Sequence, residues 1–204
     1  MAIRLGASAL GLVSEMPSGP GVIREELIAE IASNVPPAVS TFLLTCKQDT
    51  DAIIAQQRRL RVNTIQICDR LERGSYDELR AALPGIKLVQ VVHVNGAEAL
   101  DEALSVAAQV DAILLDSGNQ TLPVKELGGT GRRHDWTISR RIREGLDVPV
   151  FLAGGLKPEN VREAVAHVGP FGLDVCSGLR TEGRLDEVKL SSFFDELRLP
   201  FVKV

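Results

Sequence analysis

Two glycine-bearing turns, Gly154-Gly155 and Ser177-Gly178, are the parts of this chain best suited to chemistry. Each closes a short aliphatic run, and the first leads into Pro158-Glu159-Asn160, a helix start. Glycine lets backbone N–H groups approach a dianion closely, and a helix N-terminus adds positive potential at the same place. The pair predicts a phosphate site. Groups able to move protons stand at the ends of other aliphatic runs: Cys46, Cys68 and His93. A thiol there becomes a base if a cation or helix N-terminus lowers its pKa, and an imidazole can shuttle protons near neutral pH. The competing expectation is burial, since free cysteine is among the most buried residue types. Cys176 lies within an aliphatic run and is expected to pack. His134 sits beside an N-cap, and His167 near a helix C-terminus. No His, Cys and carboxylate set has metal-ligand spacing, so neither a metal nor a cofactor is expected.

These groups need a frame that gathers strand ends. Apolar runs at 9–13, 39–45, 64–68, 88–92, 112–115, 148–152 and 172–176 read as strands, continuous rather than alternating, as in parallel sheets buried on both faces. Helices are predicted at 24–33, 50–60, 76–83, 97–108, 136–145, 159–167 and 186–197. Asp49, Ser75 and Asp135 stand at N-cap positions and Pro158 in a first helical turn. Such repeated strand–helix units predict one domain, residues 1–204, with a closed or doubly wound parallel sheet. In a (β/α)₈ barrel, two adjacent βα loops hold the phosphate of the substrate. Seven strands precede the last helix, and the chain opens on what reads as the end of a helix at 1–5. A barrel of seven strands leaves two unpaired edges, so the β-prone segment 199–204 is a candidate closing strand; the alternative is a frayed tail.

Composition narrows the setting. An apolar content of 45% supports a full core, and 25% charged residues suit a globular domain. The net charge of −4 has no compensating basic stripe and argues against nucleic acid. Arg58, Arg59 and Arg61, and likewise Arg140, Arg141 and Arg143, fall on outer helices as solvated faces. No apolar run reaches the ~18 residues that span a membrane. Three widely spaced cysteines do not form a disulfide framework, and a cytoplasmic protein is expected.

In order along the chain come Ala112-Ile113-Leu114-Leu115-Asp116-Ser117, Gly128-Gly129-Thr130-Gly131, Asp135-Trp136, Leu152-Ala153-Gly154-Gly155-Leu156, Pro158-Glu159-Asn160-Val161 and Asp174-Val175-Cys176-Ser177-Gly178. Their order and spacing resemble phosphoribosylanthranilate isomerase, a (β/α)₈ enzyme of tryptophan biosynthesis. The resemblance runs from about Gly6 to the last helix. It implies an Amadori rearrangement of an N-ribosyl amine, with a general acid that opens the furanose and a base that removes the C2 proton. Asp116 matches the family's acid. Gly128, Gly129, Thr130 and Gly131 would close over the sugar phosphate, while Gly154, Gly155, Ser177 and Gly178 would carry most of the phosphate contact.

The front half departs from that pattern. The family's base is a cysteine ending the first strand, in a Lys-Ile-Cys-Gly motif; here the chain begins inside the first helix, so the barrel reads as N-terminally incomplete. Pro17-Ser18-Gly19-Pro20-Gly21 replaces a Ser-Pro-Arg pattern whose arginine grips the anthranilate carboxylate, with glycine in the arginine's place. Gln66-Ile67-Cys68-Asp69 replaces Gln-Leu-His-Gly, and Gln90 takes a lysine's position. Losing a bidentate clamp and a positioned base predicts a poor anthranilate-specific isomerase. Three readings stand: an isomerase of a phosphoribosyl-amine, a non-catalytic or regulatory phosphosugar-binding paralogue, or an isomerase or lyase for a different sugar phosphate using Cys46, Cys68 or His93 as base. An incomplete first unit would also expose apolar surface for a homodimer to cover.

Overall fold

A computed structural model describes residues 1–198. Strands and helices alternate: α1 (Ala2–Leu5), β1 (Ala9–Val13), α2 (Glu25–Asn34), β2 (Ser40–Thr45), α3 (Thr50–Leu60), β3 (Thr64–Ile67), α4 (Tyr76–Ala82) and β4 (Lys87–His93). They continue as α5 (Ala99–Ala107), β5 (Ala112–Asp116), α6 (Trp136–Gly145), β6 (Val150–Leu152), α7 (Val161–Val168) and β7 (Gly172–Leu173), before a small hairpin of β8 (Arg180–Thr181) and β9 (Arg184–Leu185), then α8 (Glu187–Arg198). The caps act as their side chains predict. Asp49 accepts a hydrogen bond from the Ala52 N–H at 3.0 Å, Ser75 from Glu78 at 3.2 Å and Asp135 from Thr137 at 2.8 Å.

Two expected boundaries move. Pro158 lies in a turn, and α7 starts only after Asn160. The Asn160 side chain ties that turn, donating to the Gly155 carbonyl and accepting from the Lys157 N–H, each at 2.9 Å. The last strand stops at Leu173, because after the Asp174 N–H bonds Leu152 the chain leaves the ladder for a short 3₁₀ turn at Ser177–Leu179. The closing strand expected at 199–204 lies outside the described residues.

Among the described residues, β1 to β7 pair in parallel in sequence order, with β1 and β7 at the edges of the sheet. This is the curled sheet of a TIM-type barrel. α1 packs against α8, where Arg198 Nη2 donates to the Leu5 carbonyl at 2.7 Å. The pleat sorts side chains into separate cores. Leu88, Val92, Ile113, Leu115, Val150 and Leu152 face outward to the helices. Their sequence neighbours Val89, Val91, Ala112, Leu114 and Ala153 fill the barrel interior, with Phe42, Leu44 and Phe151 packed against them.

That alternation positions the site. Because Ala112 and Leu114 point inward, so does Asp116 at the end of β5. Because Leu173 points outward, Asp174 just past β7 points inward, and the same parity aims Gln66 and Val13 into the interior. Among the described residues, no helix is long and apolar enough to cross a membrane, and no group of three or more His, Cys, Asp or Glu is arranged to hold a metal.

Candidate active site

The loops after β5, β6 and β7 converge. Gly129, Thr130, Gly131, Gly154, Gly155 and Ser177 line one cavity of about 320 Å³, which Asp116 and Asp174 border. Thr130 is held by a 2.8 Å hydrogen bond between its Oγ1 and Ser117 Oγ. A Cβ on Gly131 would stand 3.3 Å from Ser177 Oγ, so the first and third loops nearly touch. The N–H groups of Gly154 and Gly155 make no hydrogen bond to another described residue. Gly178 does not line the cavity. It packs against Leu156, where a Cβ would sit 1.9 Å from the carbonyl oxygen, so only glycine lets the last two loops pack this closely. Gly128 borders an adjoining, larger cavity and rests against Asp116, where a Cβ would stand 2.9 Å from Oδ2.

Asp116 is buried, and burial lifts its carboxyl pKa above the ordinary value. The Ser117 N–H, which donates to Oδ1 at 2.7 Å, and the positive potential of His93 and Arg132 oppose that shift without cancelling it. Asp174 is pushed up to about 6, first by burial and then by the charge of Asp116, against hydrogen bonds from the Gln66 amide and the Val175 N–H. Two carboxyls in one desolvated site resist ionising together. Protonation of one therefore eases ionisation of the other, the arrangement a general acid and a general base require.

The other proposed proton carriers share the inward parity without lining this cavity. Cys46 donates to the Glu15 carbonyl at 3.1 Å, and burial pushes its thiol up. Cys68 is 1% exposed; burial and the charges of Asp116 and Asp174 push its thiol well above the usual range. Both environments favour the thiol over the thiolate, which works against either as a base. His93 pairs in register with Asp116, and its Nε2 lies 3.1 Å from the Cys68 carbonyl oxygen, which fixes the proton on Nε2. Among the described residues its Nδ1, buried beside Gly118, has no hydrogen-bond partner, and the ring opens onto a separate cavity with Asp69 and Lys125. His134, pushed down to about 4 by burial, supports the loop as a neutral ring 2.7 Å from Ser139 Oγ.

Sequence reasoning assigned no role to Asp174 or Gln66. The available signal was parity: Asp174 follows an outward leucine at the end of a strand, as Asp116 does.

The family model described as N-(5'-phosphoribosyl)anthranilate (PRA) isomerase matches residues 2–196. The chain belongs to this family. The phosphoribosylanthranilate isomerase of Methanosarcina acetivorans is 34% identical, over 96% of this chain and 86% of that protein. That of Haloferax volcanii is 37% identical over 87% and 77%. Among solved structures, the phosphoribosylanthranilate isomerase of Thermotoga maritima shares 26% identity with a TM-score of 0.78, covering 96% of this chain and 90% of its own. Another, solved with reduced 1-(o-carboxyphenylamino)-1-deoxyribulose 5-phosphate, has the same fold at a TM-score of 0.76 and 24% identity. Family membership places the chain in an isomerase lineage of tryptophan biosynthesis. Nothing in these comparisons supports the non-catalytic paralogue or the divergent activity that the front-half departures had suggested.

Proposed function

We propose that this chain isomerises N-(5'-phosphoribosyl)anthranilate to 1-(o-carboxyphenylamino)-1-deoxyribulose 5-phosphate. The observation that carries this reading is the Asp116–Asp174 carboxyl pair at the edge of a glycine-lined cavity. The phosphate binds at the turns of Gly154-Gly155 and Ser177, with Gly129, Thr130 and Gly131 closing over it. That anchors the ribose with its ring atoms near the carboxyls.

Asp116, whose carboxyl pKa burial raises, donates its proton to the furanose ring oxygen as the C1–O bond breaks, and the amine nitrogen becomes an iminium. Removal of the C2 proton then gives an enolamine, which tautomerises to the ketone. Within the described residues, Asp174 is the carboxylate placed to receive that proton. With its pKa near 6 it is mostly ionised at neutral pH, and more so while Asp116 carries a proton. No redox partner is needed, because one carbon is oxidised as its neighbour is reduced. A cytoplasmic setting and a homodimer accompany this reading; the exposed Phe171 beside the β7 edge is an apolar side chain that a second subunit would cover.

Turnover is tested by generating the substrate from anthranilate and phosphoribosyl pyrophosphate and following its fluorescence with purified protein. Loss of signal with saturation kinetics supports the reading. Folded protein that leaves the substrate unchanged sinks it.

A further inference from the structure

Beyond the carboxyl pair the cavity widens to about 830 Å³ between β1 and the segment following β7. Asp116, Gly129 and Asp174 border both compartments, so the two are continuous through the reacting groups. Among the described residues, the wider compartment has apolar walls from Val13, Met16, Leu44, Leu127 and Leu185, and one cation, Arg180. Arg180 Nη1 donates to the Gly183 carbonyl at 2.8 Å, which ties the guanidinium to the turn of the β8–β9 hairpin. Its Nε is buried and has no hydrogen-bond partner among the described residues. Nη2 reaches over Gly21, where a Cβ would stand 3.5 Å away; with φ +89 and no side chain, Gly21 leaves that space open.

A guanidinium oriented by one bond, with a second donor buried and unused, is set to receive an anion, and its planar fork matches a carboxylate. The order of groups is then phosphate turns, proton-transfer pair, apolar walls, cation. We infer that Arg180 recognises the carboxylate of the substrate's aglycone, a flat aminobenzoate lying along the apolar walls. The clamp therefore reaches the site from the loop after β7, occupying room that glycine leaves in the loop after β1. This assignment rests on the function proposed above and names the residue that sets its substrate specificity.

The test is equilibrium binding, which needs no turnover. Reduced 1-(o-carboxyphenylamino)-1-deoxyribulose 5-phosphate and its phenylamino counterpart, which lacks only the carboxylate, are titrated against the intact protein, Arg180→Met and Arg180→Lys. Intact protein is expected to favour the carboxylated compound by ~10- to 100-fold, the scale of a charge-assisted contact. Arg180→Met erases that preference and leaves the affinity for the phenylamino compound unchanged, which also verifies an intact fold. Arg180→Lys keeps part of it, since a point charge lacks the planar fork. A preference that survives in Arg180→Met overturns the role of Arg180 alone. Intact protein that binds both compounds equally also overturns it, while leaving the phosphate site standing. If it binds neither, the proposed function fails and the inference fails with it.

Discussion

Replacing Asp174 by asparagine should stabilise the protein at neutral pH while removing its activity. The ionised carboxylate is unwelcome where it sits: burial and the neighbouring Asp116 raise its pKa from 3.8 to about 6. A shift of that size corresponds to about 3 kcal/mol of penalty once the group is ionised in both the folded and unfolded states. Partial solvent access to Asp174 lowers the measurable value to about 1–2 kcal/mol. The penalty is absent while the group is protonated in both states, grows as pH rises from about 4 to about 6, and is constant above that. Asparagine never incurs it and still offers Oδ1 to the Gln66 amide and the Val175 N–H. Urea denaturation at pH 7.5 should thus show Asp174→Asn more stable by ~1–2 kcal/mol, or about 2–8 °C in Tm for a domain of this size. At pH 4.5 the advantage should fall to roughly one third. Isomerase turnover at pH 7.5 should fall by about 10²-fold or more, as for loss of a proton-transfer group, and the parent's own turnover should decline as pH falls through about 6. A variant less stable than the parent at pH 7.5, or an advantage that does not shrink on acidification, would refute the account of this pair.

Asp116→Asn removes the proposed acid and should lower kcat by ~10²–10⁴, with inorganic phosphate still protecting the protein against thermal unfolding. Gly178→Ala forces a methyl against the Leu156 carbonyl; a loss of ~2–4 kcal/mol in urea denaturation and weaker phosphate binding are expected. Lys125→Met strands Asp69, whose side chain is 5% exposed and paired with Lys125 at 2.5 Å. This should cost ~2–4 kcal/mol at pH 7, and adding Asp69→Asn should recover most of it.

Much of this was legible because it is local. Asp49, Ser75 and Asp135 cap helices through their own backbone neighbours, and continuous apolar runs specified parallel strands. The glycines at 128, 129, 131, 154 and 155 all adopt positive φ, a demand that the residue type itself announces. Asp116 was singled out because it ends a continuous apolar run before a glycine-rich loop and matches the family's motif order. The choice among proton carriers was less legible. Cys46, Cys68 and His93 hold the same strand-end position as Asp116, and sequence gives no measure of how much water or charge surrounds each.

By itself, then, the sequence determined the alternating strands and helices, the strand-end position of Asp116 and the glycine turns, all consequences of short-range backbone preferences. The tertiary structure alone decided which groups share a cavity. Curling the sheet sets Asp174, from beyond β7, beside Asp116, from β5; burial raises the pKa of both carboxyls, and the charge of Asp116 raises that of Asp174 further. The same curvature carries Arg180 over Gly21, positions more than a hundred residues apart in the chain, and leaves Cys68 under enough protein to hold its thiol protonated.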